Sequence, residues 1–257
     1  MRRVVDLVES LGDCRAPVLI VGEPGTGREL IARLLHFAGP RRSHRLVAVD
    51  AGTTADDLFR QTADAASNAT LRSAAGGTLV IKNLCELPRP GQRRLLAALR
   101  AEDGDVRFVG SSDPDLEAAV AGGVFRADLH ILFAANEIVV PPLRDRTEDI
   151  PVLAAQLIRD YGREIGRAKM TLSTRAHERL VTYPWPGNVA ELKGVARRLV
   201  YRAAKLRIDA DEVDAVLPQL AERVPLEELP FEQMVATKLA DFLRRMDGYP
   251  VADLYAD

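Results

Sequence analysis

Cysteine, tryptophan, lysine and long apolar runs are all scarce in this chain of 257 residues. Its two cysteines, Cys14 and Cys85, are too few for a disulfide framework or, alone, a zinc site. Cys85 follows an apolar strand and reads as a small hydrophobe. No run approaches the about 18 consecutive apolar residues that cross a bilayer. Behind Met1-Arg-Arg3, Asp6 and Glu9 interrupt what would otherwise begin a signal peptide. A cytoplasmic protein without membrane contact is therefore expected. A dominant charge is lacking too: Lys plus Arg is 35 and Asp plus Glu 37, so no global basic field draws in nucleic acid. The few lysines carry no functional message as a composition. His36, His44, His130 and His177 have no metal-ligand spacing, and no metal site is expected.

What is present is an ordinary globular balance, 47% apolar and 28% charged, long enough for one large or two modest domains. Helical spacing at Val4, Val5, Leu7, Val8 and Leu11 ends at Gly12. Short apolar runs follow at 17–21, 46–49, 77–81, 106–109 and 137–140, with helical patterns between them, as at 29–37, 92–100 and 113–121. Buried strands alternating with helices predict an α/β fold, a parallel sheet covered on both faces. After Pro141-Pro142 the pattern becomes helical, broken at Gly166 and at Pro184-Trp-Pro-Gly187, where Trp185 reads as a core anchor. The expected organisation is an α/β subdomain over 1–143, an all-helical lid over 144–218 and an acidic, proline-punctuated linker over 219–230. The last segment, 231–257, opens with an amphipathic helix carrying Phe231, Met234, Val235, Leu239, Phe242, Leu243 and Met246 on one face.

The chemistry centres on Gly22-Glu-Pro-Gly-Thr-Gly-Arg-Glu29, which follows a strand and opens a helix. In that setting a glycine-rich loop turns successive N–H groups toward phosphates. Gly22, Glu23, Gly25, Thr26, Gly27, Arg28 and Glu29 are the candidate nucleotide-binding residues. The general pattern ends in Gly-Lys-Ser/Thr, so the match is partial. A tight turn that binds nothing remains the alternative.

Gly22-Glu-x-Gly-Thr-Gly-x-Glu29 resembles the phosphate loop of the AAA+ domain of sigma-54-dependent transcriptional activators. The order continues through Gly76-Gly-Thr-Leu79, Glu86-Leu-Pro88, Val106-Arg-Phe-Val109 and Phe125-Arg-x-Asp-Leu129. Two long stretches close it: Pro142-Leu-Arg-Asp-Arg-Thr-Glu-Asp-Ile150, then Tyr183-Pro-Trp-Pro-Gly-Asn-Val-x-Glu-Leu192. The likeness runs over about residues 1–205 and implies a three-layer AAA+ P-loop fold with a small helical lid.

Measured against that family, the departures concentrate at the chemistry. Arg28 stands for the loop lysine, and Lys82-Asn83 for the Asp-Glu that binds metal and activates water. Asp113 stands for a sensor asparagine and Asp50 for the asparagine that restrains the catalytic glutamate. Of two arginines that reach a neighbouring subunit, Arg126 remains and Leu132 replaces the other. Ala190 replaces the lid arginine. Protonated lysine is no ligand for magnesium and asparagine is no base, so loss of hydrolysis is expected. Weak ATP or ADP binding with little use of magnesium is the expected remnant. Lys82 is expected either to meet phosphates directly or to form an ion pair with Asp113.

The interval between Phe59 and Gly76 is short, small and polar, where family members carry an aromatic loop that contacts sigma-54. Productive sigma-54 contact is therefore not expected. The tail from Pro230 to Tyr255 resembles the start of a Fis-type domain, and DNA contact is expected only through such a domain outside this chain. The implied partners are further copies of the chain or related AAA+ activators. The resulting expectation is a regulatory pseudo-ATPase; the alternative is an unusual active ATPase in which Arg28 and acids such as Glu86 replace the lost groups.

Overall fold

The computed structural model describes residues 1–52, 69–101, 105–113 and 116–217. Its first half alternates helix and strand: α1 (Arg2–Leu11), β1 (Val18–Val21), α2 (Arg28–Ala38), β2 (Leu46–Asp50), α3 (Ala69–Ser73) and β3 (Thr78–Lys82). A 3-10 turn at Leu84–Glu86 leads to α4 (Arg89–Arg100), β4 (Arg107–Ser112), α5 (Leu116–Ala121), α6 (Ala127–Ala134) and β5 (Glu137–Val139). All strand pairs in this sheet are parallel, in the order β2-β3-β4-β1-β5. Side chains alternate across a strand, and the core divides accordingly. Leu19, Leu79, Ile81 and Phe108 pack on one face with Leu95, Leu129 and Phe133. Val18, Ile20, Val80 and Val109 pack on the other with Val4, Val8, Ile31 and Leu35 from α1 and α2. The result is the three-layer arrangement predicted from the apolar runs.

Arg107 opens β4 and is 2% exposed. Among the described residues it has no carboxylate partner; its guanidinium donates to Leu11 O at 2.5 Å, Gly12 O at 2.8 Å and Leu35 O at 3.2 Å. Those carbonyls end α1 and α2, so one buried cation closes two helix C-termini, where the dipole favours positive charge.

The second half holds α7 (Asp149–Glu164), β6 (Thr171–Leu172), α8 (Thr174–Thr182), α9 (Asn188–Arg202), β7 (Arg207–Ile208) and α10 (Ala210–Val216). The expected all-helical lid is thus not purely helical. Gly166, at φ +73°, turns the chain so that β6 lies parallel to β7, with Thr171 N–H donating to Leu206 O at 2.8 Å. Trp185 is fully buried, its Nε1–H bonded to Leu180 O at 2.8 Å, and Tyr183 meets it edge-on. The reading of Trp185 as a lid anchor agrees with this packing.

Residues 60–68, much of the interval that stands where family members carry their sigma-54-contacting loop, lie outside the described residues, as do the expected linker at 219–230 and the Fis-like tail at 231–257. Among the described residues, no helix is long and apolar enough to cross a membrane.

Candidate functional site

The glycine-rich loop leaves the sheet beside its middle strand, where the order of connections reverses. That is the crevice in which open α/β sheets bind ligands. Gly22 N–H donates to Ser112 O at 3.2 Å, fixing the loop's start to the end of β4. Thr26 folds back on Glu23 O through both its Oγ1, at 2.7 Å, and its N–H, at 3.3 Å. The Thr26 amide is therefore spent within the loop and does not join the phosphate-facing set expected from sequence. Gly25 and Gly27 hold φ of +79° and +104°, and among the described residues no acceptor meets their N–H groups. A Cβ on Gly27 would meet nothing within 4 Å. Its backbone conformation, rather than crowding, demands glycine there.

The start of the lid and the start of its helix α9 grip this loop. Asn188, fully buried with φ +53°, donates to Glu23 Oε2 at 3.1 Å and Pro24 O at 3.0 Å, and accepts from Leu143 N–H at 2.7 Å. Arg144 forms a two-pronged pair with Glu23, one contact at 2.8 Å. Arg146, 5% exposed, donates to Thr26 O at 2.9 Å. Ala190 N–H donates to Gly25 O at 3.2 Å, and a Cβ on Gly25 would strike Gly187 O at 2.4 Å. The Arg144 guanidinium, helped by the Asn188 amide, holds the Glu23 carboxyl at about 2, well below its ordinary 4.5. Glu23 thus faces the lid and serves the loop's shape. Sequence reading marked both lid motifs as family signatures but did not foresee that they hold the loop.

At the other wall, Arg28 Nη1 donates to Asp113 Oδ1 at 2.5 Å. The expected Lys82–Asp113 pair is not formed, and strand register explains why. Ile81 lies opposite Gly110, which leaves Lys82 level with Ser111 and Asp113 two residues, about 7 Å, further on. Val21 lies opposite Ser112, so Asp113 stands level with Gly22, under the loop that ends in Arg28. Asn83, at φ +53°, donates to Asp50 Oδ1 and Oδ2 at 3.3 and 3.1 Å. An amide and an acid still meet there, with their positions exchanged relative to the order the family resemblance implies.

Between these walls lies a cavity of about 550 Å³. Of the candidate residues, Gly25, Gly27, Arg28, Glu29, Lys82, Asn83 and Ala190 line it, and so does Lys193, which the sequence did not single out. Its position one helical turn beyond Ala190 was the available signal. Gly22, Glu23 and Thr26 shape the loop from outside the lining, and Asp113 and Asp50 adjoin it through Arg28 and Asn83. Arg126 and Leu132 lie elsewhere. Arg126 pairs with Asp128 at 2.7 Å and Leu132 packs on the core. Glu86, offered as a replacement acid, is exposed and does not line the cavity. The one lining carboxylate, Glu29, is paired with Arg33 at 2.9 Å. This donor set does not suit magnesium, which seeks carboxylate oxygens in octahedral array. Among the described residues, no cluster of His, Cys, Asp or Glu could hold a metal.

A five-stranded parallel sheet in this order, a glycine-rich loop after β1 and a helical lid define an AAA+ P-loop module. The sigma-54 interaction domain profile matches residues 1–143, and the AAA+ ATPase lid profile matches 144–227. The Psp operon transcriptional activator of Escherichia coli is 36% identical over 238 residues, 82% of this chain and 72% of that protein. NtrC of Azospirillum brasilense is 33% identical over 282 residues, 99% of this chain and 58% of that one. Among solved structures, NtrX from Brucella abortus in complex with ATP superposes with a TM-score of 0.74 at 25% identity, covering 96% of this chain and 60% of that one. The same protein in complex with ADP gives 0.75 at 26%, covering 92% and 59%. The chain belongs to the sigma-54 interaction domain family of AAA+ proteins, the family of the sigma-54-dependent transcriptional activators. It spans about half the length of several curated relatives, 49% of PilR from Pseudomonas aeruginosa for example.

Proposed function

We propose that this module is a regulatory, non-hydrolysing member of the activator family that holds nucleotide weakly, without magnesium, and acts through contacts with other proteins. The observation that carries the reading is the lining of the cavity. Lys82 and Asn83 line it, and they occupy the positions for which the family resemblance implies the metal ligand and the base of in-line phosphoryl transfer. Asn83 is further committed to Asp50, and Arg28 to Asp113. Support for nucleotide binding comes from the unspent Gly25 and Gly27 amides, the cations around them, and the relative solved with ATP and with ADP. Magnesium independence follows from the donor set described above.

The partners proposed are further copies of this chain or related AAA+ activators, to which Arg126 is offered as the retained arginine. Productive sigma-54 contact is not part of the proposal, because the interval between Phe59 and Gly76 has no aromatic residue to present. Purified protein with excess ATP and magnesium should release no phosphate above the protein-free rate. Turnover that disappears in Arg28→Ala would sink this reading and favour the active ATPase.

A further inference from the structure

The cavity lining contains four cations, Arg28, Arg33, Lys82 and Lys193, against one carboxylate, Glu29. Two of the four are already answered: Arg28 by Asp113 and Arg33 by Glu29. Among the described residues, Lys82 and Lys193 have no ion pair, and they stand on different walls. Lys82 ends β3 on the floor of the sheet, whereas Lys193 projects from α9 in the lid.

The position of Lys193 is set by the clamp. Ala190 N–H is bonded to Gly25 O, so the first turn of α9 is fixed against the loop. Lys193 follows Ala190 by three residues, about 4.5 Å along the axis on the same face. Glu191, one residue after Ala190, turns away toward Tyr183 Oη at 3.0 Å and Gly187 N–H at 2.8 Å. The lid therefore offers the cavity a cation, with its own acid withdrawn.

Resting on the reading that the cavity binds nucleotide, we propose that Lys193 is a phosphate ligand carried by the lid. It meets the distal phosphates of a metal-free nucleoside polyphosphate while Lys82 meets them from the sheet. A lysine reaches such a group as a compact charge on a flexible stem and needs no fixed fork geometry. Because the attraction grows with the charge it faces, Lys193 makes affinity rise with the number of phosphates.

The test is a titration of the full chain with fluorescent analogues of AMP, ADP and ATP in EDTA, for the parent, Lys193→Ala, Lys193→Arg and the exposed control Lys205→Ala. The parent should bind in the order ATP, ADP, AMP. Lys193→Ala should lose about five- to tenfold in affinity for the triphosphate and much less for the monophosphate. Lys193→Arg should restore most of the order, and Lys205→Ala should match the parent. An exposed lysine lost from a helix leaves the thermal midpoint unchanged, which separates weakened binding from damaged fold. If the parent binds and Lys193→Ala binds each of the three ligands as tightly as the parent does, the inference is overturned and the function proposed above stands. If the parent binds none of them, nucleotide binding by this site is refuted, and this inference with it.

Discussion

The acid at position 113 and the cation at position 28 make the most informative single pair in the molecule. In the sequence, a charge exchange relative to the family resemblance is visible around Lys82 and Asp113, and Asp113 is rightly suspected of meeting a cation. The partner is misassigned because strand adjacency does not give register; a two-residue offset moves the carboxylate from Lys82 to Arg28. With the Arg28 side chain 13% and the Asp113 side chain 42% exposed, the pair is half-open and worth about 0.2–1 kcal/mol. A phosphate entering the cavity competes with Asp113 for that guanidinium. Asp113→Asn should therefore raise affinity for an ATP analogue in EDTA by about two- to fivefold, as measured by titration calorimetry.

Among the elements, α9 and the loop after β1 are one joint. Within Gly187-Asn-Val and Leu143-Arg-Asp-Arg, three side chains make the joint: Asn188 and Arg146 bond the loop's backbone, and Asn188 and Arg144 bond Glu23. Asn188→Ala leaves the buried Leu143 N–H without its acceptor, and the part-buried Pro24 O without its donor, and should cost about 1–3 kcal/mol in urea unfolding. Trp185→Ala opens a cavity in the lid core and should cost about 3–5 kcal/mol by the same measurement. The strands were legible from their apolar runs, since a strand covered on both faces carries few polar positions to disguise it, although β4 buries Arg107, Ser111 and Ser112. The β6–β7 pair was not, because two residues are too few to show a period. Lys193 was missed for a different reason: a solvated lysine on a helix carries no signal until the opposite wall is known.

For the molecule as a whole, the Glu23 clamp sets an acid limit. The folded carboxyl titrates at about 2 and the unfolded one near 4.5, so the unfolded chain binds more protons between those values. The stability from Glu23 is thus fully present above about pH 4.5 and is lost as pH falls through about 2. Thermal midpoints should drop across that window in the parent. Glu23→Gln should start lower at neutral pH and show a shallower decline, the two curves converging at the acid end. Equal slopes in parent and variant would refute the assignment.

The shared bonds between loop and lid have a mechanical meaning. A ligand that presses on Gly25 pushes through its carbonyl on Ala190, and one that draws on Thr26 pulls through its carbonyl on Arg146. The stiffness of that joint leaves little slack in which occupancy of the loop could be lost before the lid registers it. On the function proposed, the presence of an anion alone would be converted into a displacement at the outer end of α9.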